Sequence, residues 1–173
     1  MSLVLGLGTA QLLAWGTSYY AIAVVGQPMR LTLGLSDSEL FGAFAGSLLL
    51  SGLLAPWAGR LLDRVGGRLV LALSGVVAAA GFAALATTSS RFGFCVSWTL
   101  LGFAMALGLY DTCFAALAQT APADYRKSVT GVTLIAGLAS TVAWPVSHHL
   151  LEVVAWRGAC IVYACVQLAC SLI

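Results

Sequence analysis

The chain has 173 residues, of which 61% are apolar and 8% are charged, and its mean hydropathy is +1.00. A soluble domain carries about 25% charged residues, and a chain of this size cannot hide so much apolar surface from water. The composition therefore excludes a soluble globular protein. The net charge of +2, dispersed along the chain, excludes a nucleic-acid-binding protein.

Uncharged stretches predict an all-α membrane protein, because about 20 apolar residues in a helix cross the hydrocarbon core of a bilayer. The spacing of Ser36 and Glu39 is typical of a capping box, which predicts a helix start just before the second span. The last span reaches the end of the chain, so we expect this chain to be a piece of a longer protein. The spans are expected at residues 3–25, 40–59, 69–90, 92–120, 128–151 and 158–173.

The first predicted span carries a polar and aromatic face. At helical spacing, Gln11, Trp15, Ser18 and Tyr19 lie within about 100° of one another. These side chains could contact a small solute. Equally, they could form the polar contacts that commonly join helices inside a membrane.

A glycine-rich and charged loop joins the second and third spans, reading Gly59-Arg60-Leu61-Leu62-Asp63-Arg64-Val65-Gly66-Gly67-Arg68. Gly59 would let a neighbouring helix approach closely, and Gly66 would permit a tight turn. Asp63 would suit a helix N-terminus or a guanidinium group. The pattern resembles the signature loop of the major facilitator superfamily, from which it departs at Gly67, where a basic residue is more usual.

This resemblance implies a specific fold and mechanism. The chain would be the N-terminal six-helix bundle of a secondary transporter, working in a lipid bilayer with a C-terminal half. Helices one, two, four and five would line a cavity for a small-molecule substrate. The loop residues Gly59, Asp63, Arg64, Gly66 and Arg68 would act as a conformational switch between the halves.

Asp111 is the only carboxylate well inside a predicted span. An ionised Asp there costs about 2.5–3.5 kcal/mol, so it should be paired, protonated or turned to the bundle interior. It could contact substrate or couple transport to protons, or it could be a structural partner of Arg64 or Arg68. Many proton-coupled exporters carry an Arg-x-x-x-Gly pattern in this span, but Trp98 replaces the arginine before Gly102.

The fifth predicted span adds three substrate candidates, Thr133, Ser140 and Trp144. Beside them, Pro145 could kink the helix. The adjacent His148 and His149 point about 100° apart on a helix, and the five cysteines form no Cys-x-x-Cys pair. We therefore expect neither a metal site nor a cofactor.

An internal repeat relates the two halves of the chain. A shift of 89 residues places Pro56 on Pro145 and Arg68 on Arg157, and a similar shift places Ala14-Trp15-Gly16 on Ala106-Leu107-Gly108. Because each unit holds three spans, the second copy must lie inverted in the membrane. The fold predicted is thus an all-α transmembrane six-helix bundle of two inverted three-helix repeats.

The basic residues of the short loops predict the orientation. Five of the eight lie between spans two and three or four and five, and the other three lie in the opposite loops. The positive-inside rule places the N-terminus in the cytosol, and the similarity to bacterial transporters implies a bacterial inner membrane.

Three other interpretations were weighed. An intramembrane protease would pair Ser47 or Ser51 with a histidine, but both histidines lie at a membrane edge, so we expect no enzyme. A non-transporting receptor or subunit of the same fold is the main alternative. A half-size transporter that works as a dimer is the third.

Overall fold

The computed structural model describes residues 2–172, and all regular structure among them is helical. A π-helical turn, Gly16–Tyr20, joins α1 to α2, and a 3₁₀ turn, Pro122–Asp124, precedes α7. The helices are α1 (Ser2–Trp15), α2 (Ile22–Leu33), α3 (Asp37–Val65), α4 (Gly67–Thr87), α5 (Arg91–Gly108), α6 (Tyr110–Thr120), α7 (Tyr125–Ala136) and α8 (Ala139–Cys170).

Four helical runs are long and apolar enough to cross a membrane. They are Asp37–Val65, Gly67–Thr87, Arg91–Thr120 and Pro122–Cys170. The predicted count of six separate spans is not confirmed. The π-helical turn divides the first predicted span into two shorter helices, and the fifth and sixth spans fall within one run.

The corner between α2 and α3 has the predicted capping box. Glu39 N donates to Ser36 Oγ at 3.2 Å, and Ser36 N donates to Glu39 Oε2 at 2.7 Å, so both free amides of the first turn are satisfied. Arg91 fixes the neighbouring corner, since its guanidinium donates to Glu39 Oε1 at 3.0 Å and to the Gly34 carbonyl at 2.9 Å. Three chain segments are thereby joined at this end of the bundle.

Helix packing depends on close backbone approaches. Helix α4 packs against α5 and α8, α3 packs against α5, and α1 packs against α7. A Cβ added to Gly102 would lie 2.8 Å from the Ser47 carbonyl oxygen, and one added to Gly75 would lie 2.6 Å from that of Gln167. Small residues at these positions allow the van der Waals contact that holds helices together in lipid.

Two turns share an unusual backbone conformation. Gly66, between α3 and α4, has φ 87° and ψ 151°, and Ala155, within α8, has φ 54° and ψ 179°. Ala155 divides α8 into two helical parts. This region of backbone space is essentially restricted to glycine, so Ala155 is strained by about 1–3 kcal/mol.

Replacing Ala155 with Gly should therefore stabilise the protein by about 1 kcal/mol, because glycine adopts this backbone conformation without steric cost. The reverse change, Gly66→Ala, should destabilise by a similar amount. A Cβ on Gly66 meets nothing within 4 Å, so the cost would come from the backbone alone. Detergent-induced unfolding followed by circular dichroism measures both variants.

The control is Ala159→Gly, a buried position inside a regular part of α8. That variant should lose stability, since glycine in a helix costs about 1 kcal/mol. A loss of stability in Ala155→Gly would contradict the strain assigned to this turn.

Candidate functional site

A cavity of about 260 Å³ lies between α1, α3 and the junction of α5 with α6. Trp15 lines it from α1, Ser51 from α3 and Met105 from α5, together with the segment Leu109–Thr112. It is called the junction pocket below. It brings together two of the predicted substrate candidates, Trp15 and Asp111.

The junction pocket is built on a break in the fourth predicted span. Helix α5 ends at Gly108, Leu109 is extended with φ −81° and ψ −170°, and α6 begins at Tyr110. Such a break frees carbonyl groups that water cannot satisfy in a bilayer. Two side chains supply donors instead: Thr112 Oγ1 to the Ala106 carbonyl (3.0 Å) and Gln11 Nε2 to that of Gly108 (2.6 Å). Ser74 Oγ donates to the Ala104 carbonyl one turn earlier (2.9 Å).

Asp111 lies in the first turn of α6 and is exposed. The unpaired amides and the dipole at a helix N-terminus favour a carboxylate there. Asp111 makes no ion pair with Arg64 or Arg68 anywhere in residues 2–172.

An aromatic cluster surrounds Trp15. Its ring centroid lies 5.3 Å from that of Tyr19 and 5.1 Å from that of Tyr110. Tyr110 is stacked on Phe114 at 5.1 Å, which fixes the orientation of its ring. The Trp15 indole Nε1 is buried and has no acceptor among the described residues.

Gln11 and Ser18 have structural partners. The Ser18 hydroxyl donates to the Ala14 carbonyl within its own helix. Gln11 is buried, and its amide group donates to Gly108, while its Oε1 atom is buried without a partner. Gln11 lines a second cavity of about 390 Å³, which has Arg68 at its wall. Of the predicted polar face, Gln11 thus joins α1 to the end of α5, whereas the Ser18 hydrogen bond is local.

The candidates of the fifth predicted span do not line the junction pocket. Thr133 and Trp144 are exposed and Ser140 is half-buried, and the Thr133 hydroxyl donates to the Val129 carbonyl at 2.7 Å. His148 and His149 both lie beside Glu152, at 3.7 and 3.9 Å. None of these residues is among those that line the junction pocket.

The Gly59–Arg68 loop is formed by the end of α3, Gly66 and the start of α4, and it contacts α6. Gly67 packs closely against Ala116. Gln119 Nε2 donates to Asp63 Oδ1 at 3.3 Å, which ties the loop to the end of α6. Gly66 has the positive φ expected for a tight turn. The close approach expected at Gly59 is absent, because nothing lies within 4 Å of a Cβ placed there, and Arg64 and Arg68 are exposed. Gly59 lies on a face of α3 that no described helix covers.

Several site residues were missed by the sequence reasoning. Tyr110 lines the pocket next to Asp111, and Thr112 satisfies a carbonyl freed by the break. Gln167 donates to Thr17 Oγ1 at 2.7 Å and joins α8 to the π-helical turn. The signal for Gln167 was its position as the single amide in the uncharged run 158–173.

A family model described as Major Facilitator Superfamily matches residues 7–173. No curated protein matches the chain significantly.

Replacing Gln11 with Leu should lower the free energy of unfolding by about 1 kcal/mol, because the Gly108 carbonyl would lose its donor inside the bundle. Detergent-induced unfolding measures the change. The matched control is Gln27→Leu, where the exposed amide meets only Arg30, and it should leave stability nearly unchanged. Equal stabilities of the two variants would show that the Gln11 bond does not hold the helix break.

Proposed function

Because the family model covers residues 7–173, the chain belongs to the major facilitator superfamily, and on that premise we propose how it acts. It moves a small organic solute across the membrane as a secondary active transporter, with the junction pocket as part of the substrate site. The observation that carries this proposal is the Asp111 carboxylate, which lies at a helix break, lines the same pocket as Trp15 and makes no ion pair among the described residues. Ionisable groups inside membranes characteristically mark substrate and ion pathways.

The proposal includes six spans arranged as two inverted triplets. The break at Ala155 supports a separate sixth span over the second part of α8. The shift of 89 residues that superposes Pro56 on Pro145 also places Gly66 on Ala155, and these are the two turns with positive φ and extended ψ. A shift of 92 residues places Gly16, where the π-helical turn begins, on Gly108, where α5 ends. Corresponding positions therefore carry corresponding irregularities.

Helix contacts support the same symmetry. If spans one to three correspond to spans four to six, the contact of span one with five must correspond to the contact of span four with two. Helix α1 packs on α7 through Gly8 and Ile135, and α5 packs on α3 through Gly102 and Ser47. The third contact, between α4 and the end of α8, joins spans three and six, so the symmetry would map it onto itself. The ring centroids of Phe82 and Tyr163 lie 5.5 Å apart there.

Chemical labelling tests this topology. In a cysteine-free background, Arg64→Cys should react with an impermeant maleimide from the cytosol, and Glu152→Cys should react from outside, because an odd number of spans separates them. Arg126→Cys is the control, since it should react from the same side as Arg64→Cys. Labelling of Arg64→Cys and Glu152→Cys from one face would overturn the inverted arrangement.

Alternating access is the mechanism we propose. The open face of α3 carries Gly42, Gly46, Gly52 and Gly59, none of which has a neighbour within 4 Å of an added Cβ. A second bundle, the C-terminal half, would pack against this face and rock about the substrate site. The Gly59–Arg68 loop would bias which side is open, with the N-terminus in the cytosol and the protein in a bacterial inner membrane.

Proton coupling is proposed at Asp111. Uptake of substrate into proteoliposomes should respond to an imposed pH gradient, and Asp111→Asn should abolish that response, because an amide cannot exchange a proton. Asp124→Asn is the control, since Asp124 is exposed in the 3₁₀ turn before α7 and lies 3.7 Å from Lys127. If uptake by Asp111→Asn still depended on pH, a role of Asp111 in proton coupling would be ruled out. Complete absence of flux in the wild-type protein would favour a non-transporting receptor.

A further inference from the structure

We propose that the junction pocket selects a small organic ammonium ion, a substrate class that deepens the proposed transport function and rests on it. Asp111 is the charged side chain among the residues that line the pocket. Because Asp111 has no basic partner within residues 2–172, a ligand that brings a positive charge would complete the site. An anionic ligand would instead meet a like charge in a region of low dielectric.

The aromatic cluster favours an organic cation over an inorganic one. Trp15 and Tyr110 both line the pocket, and Tyr19 lies 5.3 Å from Trp15. Aromatic rings attract alkylated ammonium groups through their quadrupoles and through contact with the methyl groups. A bare metal ion would need several oxygen ligands, whereas the pocket offers one carboxylate among its lining residues.

The size of the pocket limits the ligand. The cavity of about 260 Å³ lies just below the usual range for small-molecule sites, which suits a compact ligand. The expected ligand is thus a compact alkylammonium ion.

Choline and its neutral carbon isostere, 3,3-dimethyl-1-butanol, isolate the contribution of charge. Both should be titrated against the full-length transporter in nanodiscs, together with benzyltrimethylammonium and its carbon isostere. The ammonium member of at least one pair should bind about tenfold tighter or more, as expected for a cation beside aromatic rings and a carboxylate. Equal affinities within both pairs would overturn the proposal.

Variants assign the preference to the pocket. Asp111→Asn should remove the preference for the charged ligand, and Asp111→Glu, which keeps the charge, should restore it. Trp15→Leu removes an aromatic ring from the pocket, so it should weaken the ammonium member of each pair more than its neutral isostere. The control variants Trp57→Phe and Asp124→Asn change residues outside the pocket, so they should bind all four ligands as the parent protein does. A preference that survives Asp111→Asn would place the cation elsewhere and refute the assignment.

Binding and flux together separate this inference from the transport proposal. Flux of a neutral or anionic solute, without a preference for ammonium ligands, would refute the substrate class and leave the transport function intact. Ammonium binding that depends on Asp111, without flux of any bound ligand in proteoliposomes, would support the pocket and refute transport.

Discussion

A bilayer forces each backbone polar group to find a partner within the protein, and this constraint governs the structure. Long uninterrupted helices meet it automatically, but this chain interrupts its helices at the π-helical turn Gly16–Tyr20 and at Leu109. The interruption at Leu109 persists because Gln11, Ser74 and Thr112 donate to carbonyl groups near the end of α5. Two of these donors come from other helices, so the break is a feature of the packed bundle rather than of one helix.

The same break creates the chemistry of the junction pocket. It starts α6 within the bundle and gives the Asp111 carboxylate a helix N-terminus, which compensates part of the cost of a charge in lipid. It also turns Tyr110 toward Trp15, with ring centroids 5.1 Å apart. A continuous helix would satisfy its own carbonyls but would offer Asp111 no free amides. The break that costs the helix its own hydrogen bonds therefore also forms the junction pocket.

Sequence patterns predicted the features that depend on local composition. Uncharged stretches indicated membrane helices, and Ser36 with Glu39 indicated the start of α3, because both signals lie within a few residues. The break at Leu109 was not predictable in this way, since its partners Gln11 and Ser74 are distant in sequence. Ala155 was missed because alanine normally avoids positive φ. Gly59 was assigned to a close helix contact that the described residues do not provide. Long-range packing decided each of these cases.

The proposed inverted repeat would relate two positions of different chemistry. The shift of 92 residues that places Gly16 on Gly108 also places Tyr19 on Asp111. A π-helical turn begins at Gly16 and α5 ends at Gly108, and the neighbouring rings of Trp15 and Tyr110 lie 5.1 Å apart. One unit thus has a phenol where the other has a carboxylate. On that proposal, both units would keep a helix irregularity while a single divergent side chain beside it supplies the charge.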